Sequence, residues 1–164
     1  MEDKHVFSIL VDNEPGVLSR IAGLFSGRGF NIESLCVAET TNPLVSRITL
    51  VTTGEPPIIE QIEKQLNKLI NVIKVHNLTG TEYVQREMAL IKVVATGEHR
   101  VEALRMAELM GARVVDVTLE SFVFELAQTT DEIDAFIHLM RPLGLAEVTR
   151  TGVCAITRGS AATK

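Results

Sequence analysis

The chain has 164 residues, of which 46% are hydrophobic, 4% aromatic and 23% charged, with a formal net charge of -5. That length accommodates one generous domain or two small ones, and an acidic balance without clustered Lys and Arg excludes a surface built to track phosphates. The opening MEDKHVFSILVDNE has no basic segment followed by a long apolar run, and no later stretch reaches about 18 apolar residues, so neither a leader nor a membrane span is expected and a cytoplasmic location is.

HVFSILV (5–11) is apolar and rich in branched residues, and it stops at Asp12-Asn13, whose side chains suit a turn. From there Val17, Leu18, Ile21, Leu24 and Phe25 recur at three- and four-residue steps, with Ser19, Arg20 and Arg28 facing away. This spacing predicts a helix with one buried stripe, Pro15 near its start and Gly27 and Gly29 at its exit. Residues 32–38 and 45–52 read as two strands joined across TTNP. A second helix begins at about Pro57, with Ile59, Ile62, Leu66 and Leu69 on one face, and NVIKVHNL (71–78) reads as a closing strand.

The order βαββαβ is that of a ferredoxin-like unit, an antiparallel four-stranded sheet with two helices on one face. After TGTEY (79–83) the order starts again. EMALIKVVAT is a strand, EHRVEALRMAELM a helix ended by Gly111, and RVVDVTLE with SFVFELAQ a strand pair. TTDEIDAFIHLM opens with a capping box, Thr129 and Glu132, and EVTRTGVCAITR is the last strand before a tail, GSAATK, that looks loose. The expected fold is α+β, two tandem ferredoxin-like βαββαβ domains at residues 1–78 and 84–160.

Chemistry has few anchors. His5, His76, His99 and His138 pair neither with one another nor with cysteine at metal-ligand spacing, and no nucleophile elbow or phosphate-cradling glycine loop is present. No catalytic residue and no metal site are expected. Cys36 and Cys154 lie far apart in apolar, strand-like runs and read as buried thiols, not as a disulfide.

The segment DNEPGVLSRIAGLFSGRGFNIESL carries more. A helix start presents N–H groups without intrahelical partners and a partial positive charge, so it can hold a carboxylate, and Gly16 lets a ligand approach closely. Asn13 and Asn31 each offer a donor and an acceptor without net charge, which suits the ammonium and carboxylate of an amino acid. Local signal alone leaves another reading open, in which Asn13 is an N-cap or turn residue and Asn31 a turn residue with positive φ.

The same segment resembles the signature of ACT domains, small amino-acid-binding modules of allosteric proteins. From about His5 to Gly159 the chain is similar to the regulatory small subunits of acetolactate (acetohydroxyacid) synthase, with SRITLVT, EQIEKQLNKLINVIKV, REMALIKV, ARVVDVT and TGVCAITRG in that family's order. The resemblance implies a non-catalytic subunit that activates a large subunit and makes it subject to valine feedback on the route to valine, leucine and isoleucine. It implies no cofactor in this chain; thiamine diphosphate, Mg and FAD would belong to the large subunit. It also implies a homodimer through the ACT domains, with the effector between Asn13, Glu14, Pro15, Gly16, Val17 and Leu18 of one protomer and Asn31 and Ile32 of the other.

Two departures are visible. Cys36 stands where the family usually has threonine, and MGAR before VVDVT is less charged than is common. The second repeat's TGEHRVEAL lacks the Asn and Pro-Gly features, so only the first half is expected to bind amino acid. Another ACT regulator, of transcription for example, would need a helix-turn-helix and a basic face, for which the chain has no room. Partners in nucleic acid or membrane are not expected. Arg20, Arg28 and Arg47 lie outside the apolar stripe and read equally as partner contacts or as a solvated face.

Overall fold

The computed structural model describes residues 3–164. Its residues group into two compact units, one running through Val84 and including Val153–Lys164, the other Gln85–Gly152.

The first unit contains β1 (Asp3–Asp12), α1 (Val17–Gly27), β2 (Ser34–Glu39), β3 (Val45–Gly54), α2 (Pro56–Asn67) and β4 (Val72–Asn77). The sheet order is β2-β3-β1-β4, with β1–β3, β1–β4 and β2–β3 all antiparallel. This is the ferredoxin-like arrangement expected from the βαββαβ order.

β1 reads as a near-continuous apolar run because both of its faces are covered. Phe7, Ile9 and Val11 pack with Ile48 and Leu50 of β3 against Val17, Ile21, Leu24 and Phe25 of α1 and Ile59, Ile62 and Leu66 of α2. On the other face, Val6 and Val51 pack with Leu78, Val153 and Ala155. The C-terminal residues therefore return to the first unit as a cover for the sheet face that the helices leave free.

The tail is correspondingly docked, not loose. Thr163 is buried; its hydroxyl lies 2.8 Å from His76 Nδ1, and its carbonyl accepts from Arg47 Nη2 at 3.2 Å. Thr157 Oγ1 donates to the Ala161 carbonyl at 2.6 Å. Arg47 also donates to Ser8 Oγ at 2.7 Å, which accounts for a long cation on an otherwise uncharged strand.

In the second unit, β5 (Tyr83–Val94), α3 (Gly97–Leu109), β6 (Arg113–Val117), β7 (Ser121–Gln128), α4 (Thr130–Gly144) and β8 (Leu145–Arg150) repeat the order, with sheet sequence β6-β7-β5-β8. Phe122, Phe124 and Leu126 of β7 pack with Ile133, Phe136 and Met140 of α4. The capping box is present. The Thr129 hydroxyl accepts from the Glu132 N–H at 3.4 Å, and the Glu132 carboxylate accepts from the Thr129 N–H at 3.1 Å, which holds its pKa below the ordinary value.

The expected last strand is two strands. β8 ends at Arg150, where Thr151 closes the ladder by donating its N–H to the Met88 carbonyl at 3.0 Å and accepting from the Met88 N–H at 3.1 Å. Gly152 then takes φ +84°, turning the chain into β9 (Cys154–Thr157), which pairs with β5. Only a residue without a Cβ enters that region cheaply. No described helix is long and apolar enough to cross a membrane.

Candidate functional site

The turn between β1 and α1 is shaped by Gly16, which occupies the N-cap position at φ +84° and ψ -8°. No Cβ is there to oppose a ligand, and beyond Gly16 and its two chain neighbours no heavy atom lies within 4 Å of where one would stand. Arg20 N–H to Gly16 O, at 3.0 Å, is the first bond of helical spacing. The N–H groups of Leu18 and Ser19 precede it, and helix geometry gives them no intrahelical acceptor. They point out of the positive end of the helix.

Asn13 is not the N-cap. Its backbone N–H donates to the Leu44 carbonyl at 2.8 Å, and its Nδ2 donates to the Pro43 carbonyl at 2.9 Å and to Glu39 Oε2 at 3.3 Å. The amide thus ties the turn to the β2–β3 connection. Its Oδ1 accounts for none of these bonds. Glu14 donates its N–H back to the Asp12 carbonyl at 3.0 Å, and Pro15 is exposed before the helix begins.

The two apolar residues after the glycine part company. Val17 is 4% exposed, its side chain in the core, whereas Leu18 is 43% exposed and free to meet a ligand. Of this pair, only Leu18 offers its side chain as a wall.

Asn71 was not singled out in the sequence, yet it organises this turn. Buried at the start of β4's approach, it accepts from Arg20 Nη1 through Oδ1 and donates through Nδ2 to Asp12 at 3.2 Å and Glu14 at 3.4 Å. Its carbonyl accepts the Asp12 N–H at 2.9 Å. Arg20 is thereby engaged within its own chain, as is Arg28, which donates to Gln65 Oε1 at 3.1 Å. Asparagine at the head of an apolar strand was the only signal for Asn71, and it does not reveal which turn the side chain will reach.

Asn31 and Ile32 lie in the segment entering β2, which starts at Ser34 and not at residue 32. Asn31 does not adopt positive φ. Its carbonyl accepts from Thr52 Oγ1 at 2.6 Å, and the Glu33 N–H donates to the Val51 carbonyl at 2.8 Å. A salt bridge of 3.2 Å between Lys4 and Glu33 holds the same segment to β1. The Asn31 residue is exposed and Ile32 half-buried against the helix-side core.

Within one chain these two groups of residues are far apart. Asp12, next to Asn13, pairs with Val45; Thr52, which holds Asn31, pairs with His5 at the other end of β1. Seven strand positions separate those pairs, about 23 Å at ~3.3 Å per residue. No single amino acid spans that distance.

The edge strand β2 links the two groups. Its Ser34 end adjoins Asn31, and its Glu39 end touches Asn13. The strand lies at the margin of the sheet, with Val37 43% exposed.

In the second unit the turn before α3 opens onto a cleft of about 740 Å³ whose lining includes Glu98, His99, Val101 and Glu102. Two carboxylates stand there in place of the amides of the first unit. Among the described residues no cluster of three or more His, Cys, Asp or Glu is arranged to hold a metal ion.

Comparison with known proteins matches two family models in succession along the chain, the second running on through residues 153–159 that pack with the first unit. Residues 7–74 match the family described as the acetohydroxyacid synthase small subunit-like ACT domain, and residues 86–159 match the family described as the small subunit of acetolactate synthase. The chain is 48% identical over 157 residues to a probable acetolactate synthase small subunit of Archaeoglobus fulgidus, covering 96% of this chain and 98% of that one. It is 45% identical to the acetolactate synthase small subunit of Haemophilus influenzae, over 95% of this chain and 96% of the relative. The crystal structure of the acetolactate synthase small subunit from Thermotoga maritima superposes with a TM-score of 0.88 at 38% identity, covering 97% and 99% of the two chains.

Proposed function

The chain belongs to the family of acetolactate synthase small subunits, and from that premise we propose that it regulates a catalytic large subunit, raising its activity and making it subject to inhibition by valine. In this reading the chain is not itself catalytic, and thiamine diphosphate, Mg and FAD belong to the large subunit.

The observation that carries the valine reading is the separation of Asn13 from Asn31 across the length of the sheet. Both have the chemistry of a zwitterion site, and neither completes one alone. Antiparallel pairing of β2 with β2 of a second copy resolves this. It covers an exposed edge, as sheets commonly require, and sets the Ser34 end of one strand beside the Glu39 end of the other. Asn31 and Ile32 of one protomer then approach the Asn13–Leu18 turn of its partner, twice across the two-fold axis.

Valine fits the resulting cleft. Its carboxylate meets the N–H groups at the start of α1 and the open side of Gly16, and its ammonium meets carboxamide oxygens. Its side chain lies between Leu18 and Ile32, a burial worth about 1.5–3 kcal/mol. Leucine and isoleucine, one methylene larger, are disfavoured by only about 1–3 kcal/mol and bind the same cleft more weakly. The carboxylates Glu98 and Glu102 make the corresponding turn of the second unit a poor host for another carboxylate.

Binding regulates only if valine favours one arrangement of the assembly over another, typically by about 1–3 kcal/mol. A ligand that bridges two protomers does so by fixing their relative orientation. The test is acetolactate formation by a thiamine-dependent large subunit with and without this chain. Stimulation on mixing, reversed by valine, supports the proposal; an unchanged rate contradicts it.

A further inference from the structure

Successive residues of a strand alternate in facing, so Arg47 and Thr49 of β3 point to one side of the first sheet, opposite Ala38 and Cys36 of β2. It is the side of Val51, which packs with Val153 and Ala155 of the returning C-terminal segment and not with the helices. Beyond that contact lies an open cleft of about 570 Å³, whose lining includes Cys36, Ala38, Arg47, Thr49 and Cys154. Its floor on β2 is shallow because the side chains there are short.

Two polar groups in this cleft lack the partners their burial calls for. Arg47 is half-buried, and both of its acceptors, Ser8 Oγ and the Thr163 carbonyl, are neutral. Among the described residues no carboxylate pairs with it, in contrast to Arg150, which pairs with Glu87 and Asp134. A cation withdrawn from water without a counter-charge is costly, and most of the guanidinium's five N–H donors are still to be satisfied. Thr49 is only 3% exposed, yet among the described residues nothing bonds its hydroxyl. That oxygen is not sealed in, so the cleft is where it meets solvent. Buried hydroxyls ordinarily find a partner.

We propose that this cleft binds a small organic monocarboxylate. Arg47 donates to its carboxylate, the Thr49 hydroxyl donates to the same group, and a short apolar stem rests on Ala38 and Cys36. Arg47 is the single cation among the described residues that line the cleft, so one negative charge is balanced and a dianion such as phosphate is not. Glu39 also borders the cleft, but its carboxylate accepts from Asn13 Nδ2 at 3.3 Å, and the residue sits opposite Ser46, one position out of step with Arg47 and so on the helix-side face. The site uses no helix start and no second protomer, and it does not rest on the valine reading.

The test titrates propionate, and separately inorganic phosphate, into the full nitrogen-15-labelled chain in the presence of excess valine, following backbone amide shifts by NMR. The expected result is saturable shifts at Ala38, Arg47 and Thr49 with propionate, and weaker binding of phosphate. Thr49→Val should weaken propionate binding about tenfold while the urea midpoint holds or rises, because the hydroxyl it removes has no partner in the chain. Arg47→Gln should abolish saturation. Shifts that never saturate, shifts confined to the Gly16–Leu18 turn, phosphate binding as tightly as propionate, or unchanged affinity in Thr49→Val would overturn the assignment. The wild-type titration and Thr49→Val decide the matter even where Arg47→Gln loosens the docked tail.

Discussion

Asn13 and Asn31 stand at opposite ends of the β1–β3 ladder, the first bonded to the β2–β3 connection through Pro43 and Glu39, the second held by the hydroxyl of Thr52. Two uncharged amides that resemble halves of one amino-acid site are therefore kept apart by the strand length itself. The proposed function and most of what can be tested follow from this separation.

Gly16→Asp sets a carboxylate beside the helix start, where the effector carboxylate is proposed to sit. Aspartate is among the residues that tolerate the left-handed region that Gly16 occupies, so the fold should persist. The expected outcome is loss of valine inhibition with activation of the large subunit retained, read from rates across a valine titration. Inhibition at the wild-type concentration would count against the site.

Val37→Lys places a charge on the exposed edge strand, a common means of preventing strands from pairing between molecules. The variant should sediment as a monomer where the parent sediments as a dimer, and valine heat should vanish from its calorimetric titration. A dimer of unchanged affinity would move the interface elsewhere.

Asn71→Ala removes the acceptor for Arg20 and the donor for Asp12 and Glu14 from a buried position. Water can reach the partners left behind, Arg20 and Glu14 being exposed, so urea denaturation should show the net loss of ordinary hydrogen bonds, about 0.5–1.5 kcal/mol. The same loosening of the β1–α1 turn should weaken the valine response, although Asn71 is not proposed to touch the ligand.

Gly144→Ala probes the second unit alone. Gly144 sits at φ +113°, and a Cβ there would lie 2.1 Å from the Val94 carbonyl oxygen. A backbone oxygen cannot swing aside as a side chain does, so the variant should lose roughly 2–4 kcal/mol of stability. A denaturation midpoint equal to that of the parent would contradict the close approach.

Local signals carried the fold. The 3.6-residue stripe of α1, the glycines at its exit and the Thr129–Glu132 capping box all act within a few residues, so the order of letters was enough to place them. What escaped depends on contacts between remote segments. The service of Asn71 to the first turn depends on β4 lying beside β1, and the docking of Thr163 on the sheet carrying Arg47 and His76. That Cys36 and Cys154 line one cleft depends on a chain that passes through the second unit and returns to the first. At the candidate site, the turn, its glycine and the burial of Val17 were legible, whereas the exposure of Leu18 was not: neighbouring positions on one helix stripe divide between core and surface only once the sheet beneath them is fixed.

The most direct test of the central claim is a crystal structure of the protein grown with valine. The account predicts a dimer paired through β2, with valine held between the Asn13–Leu18 turn of one protomer and Asn31 of its partner in two equivalent clefts. Clefts without valine at saturating concentration, or a dimer in which those two segments face away from each other, would contradict it.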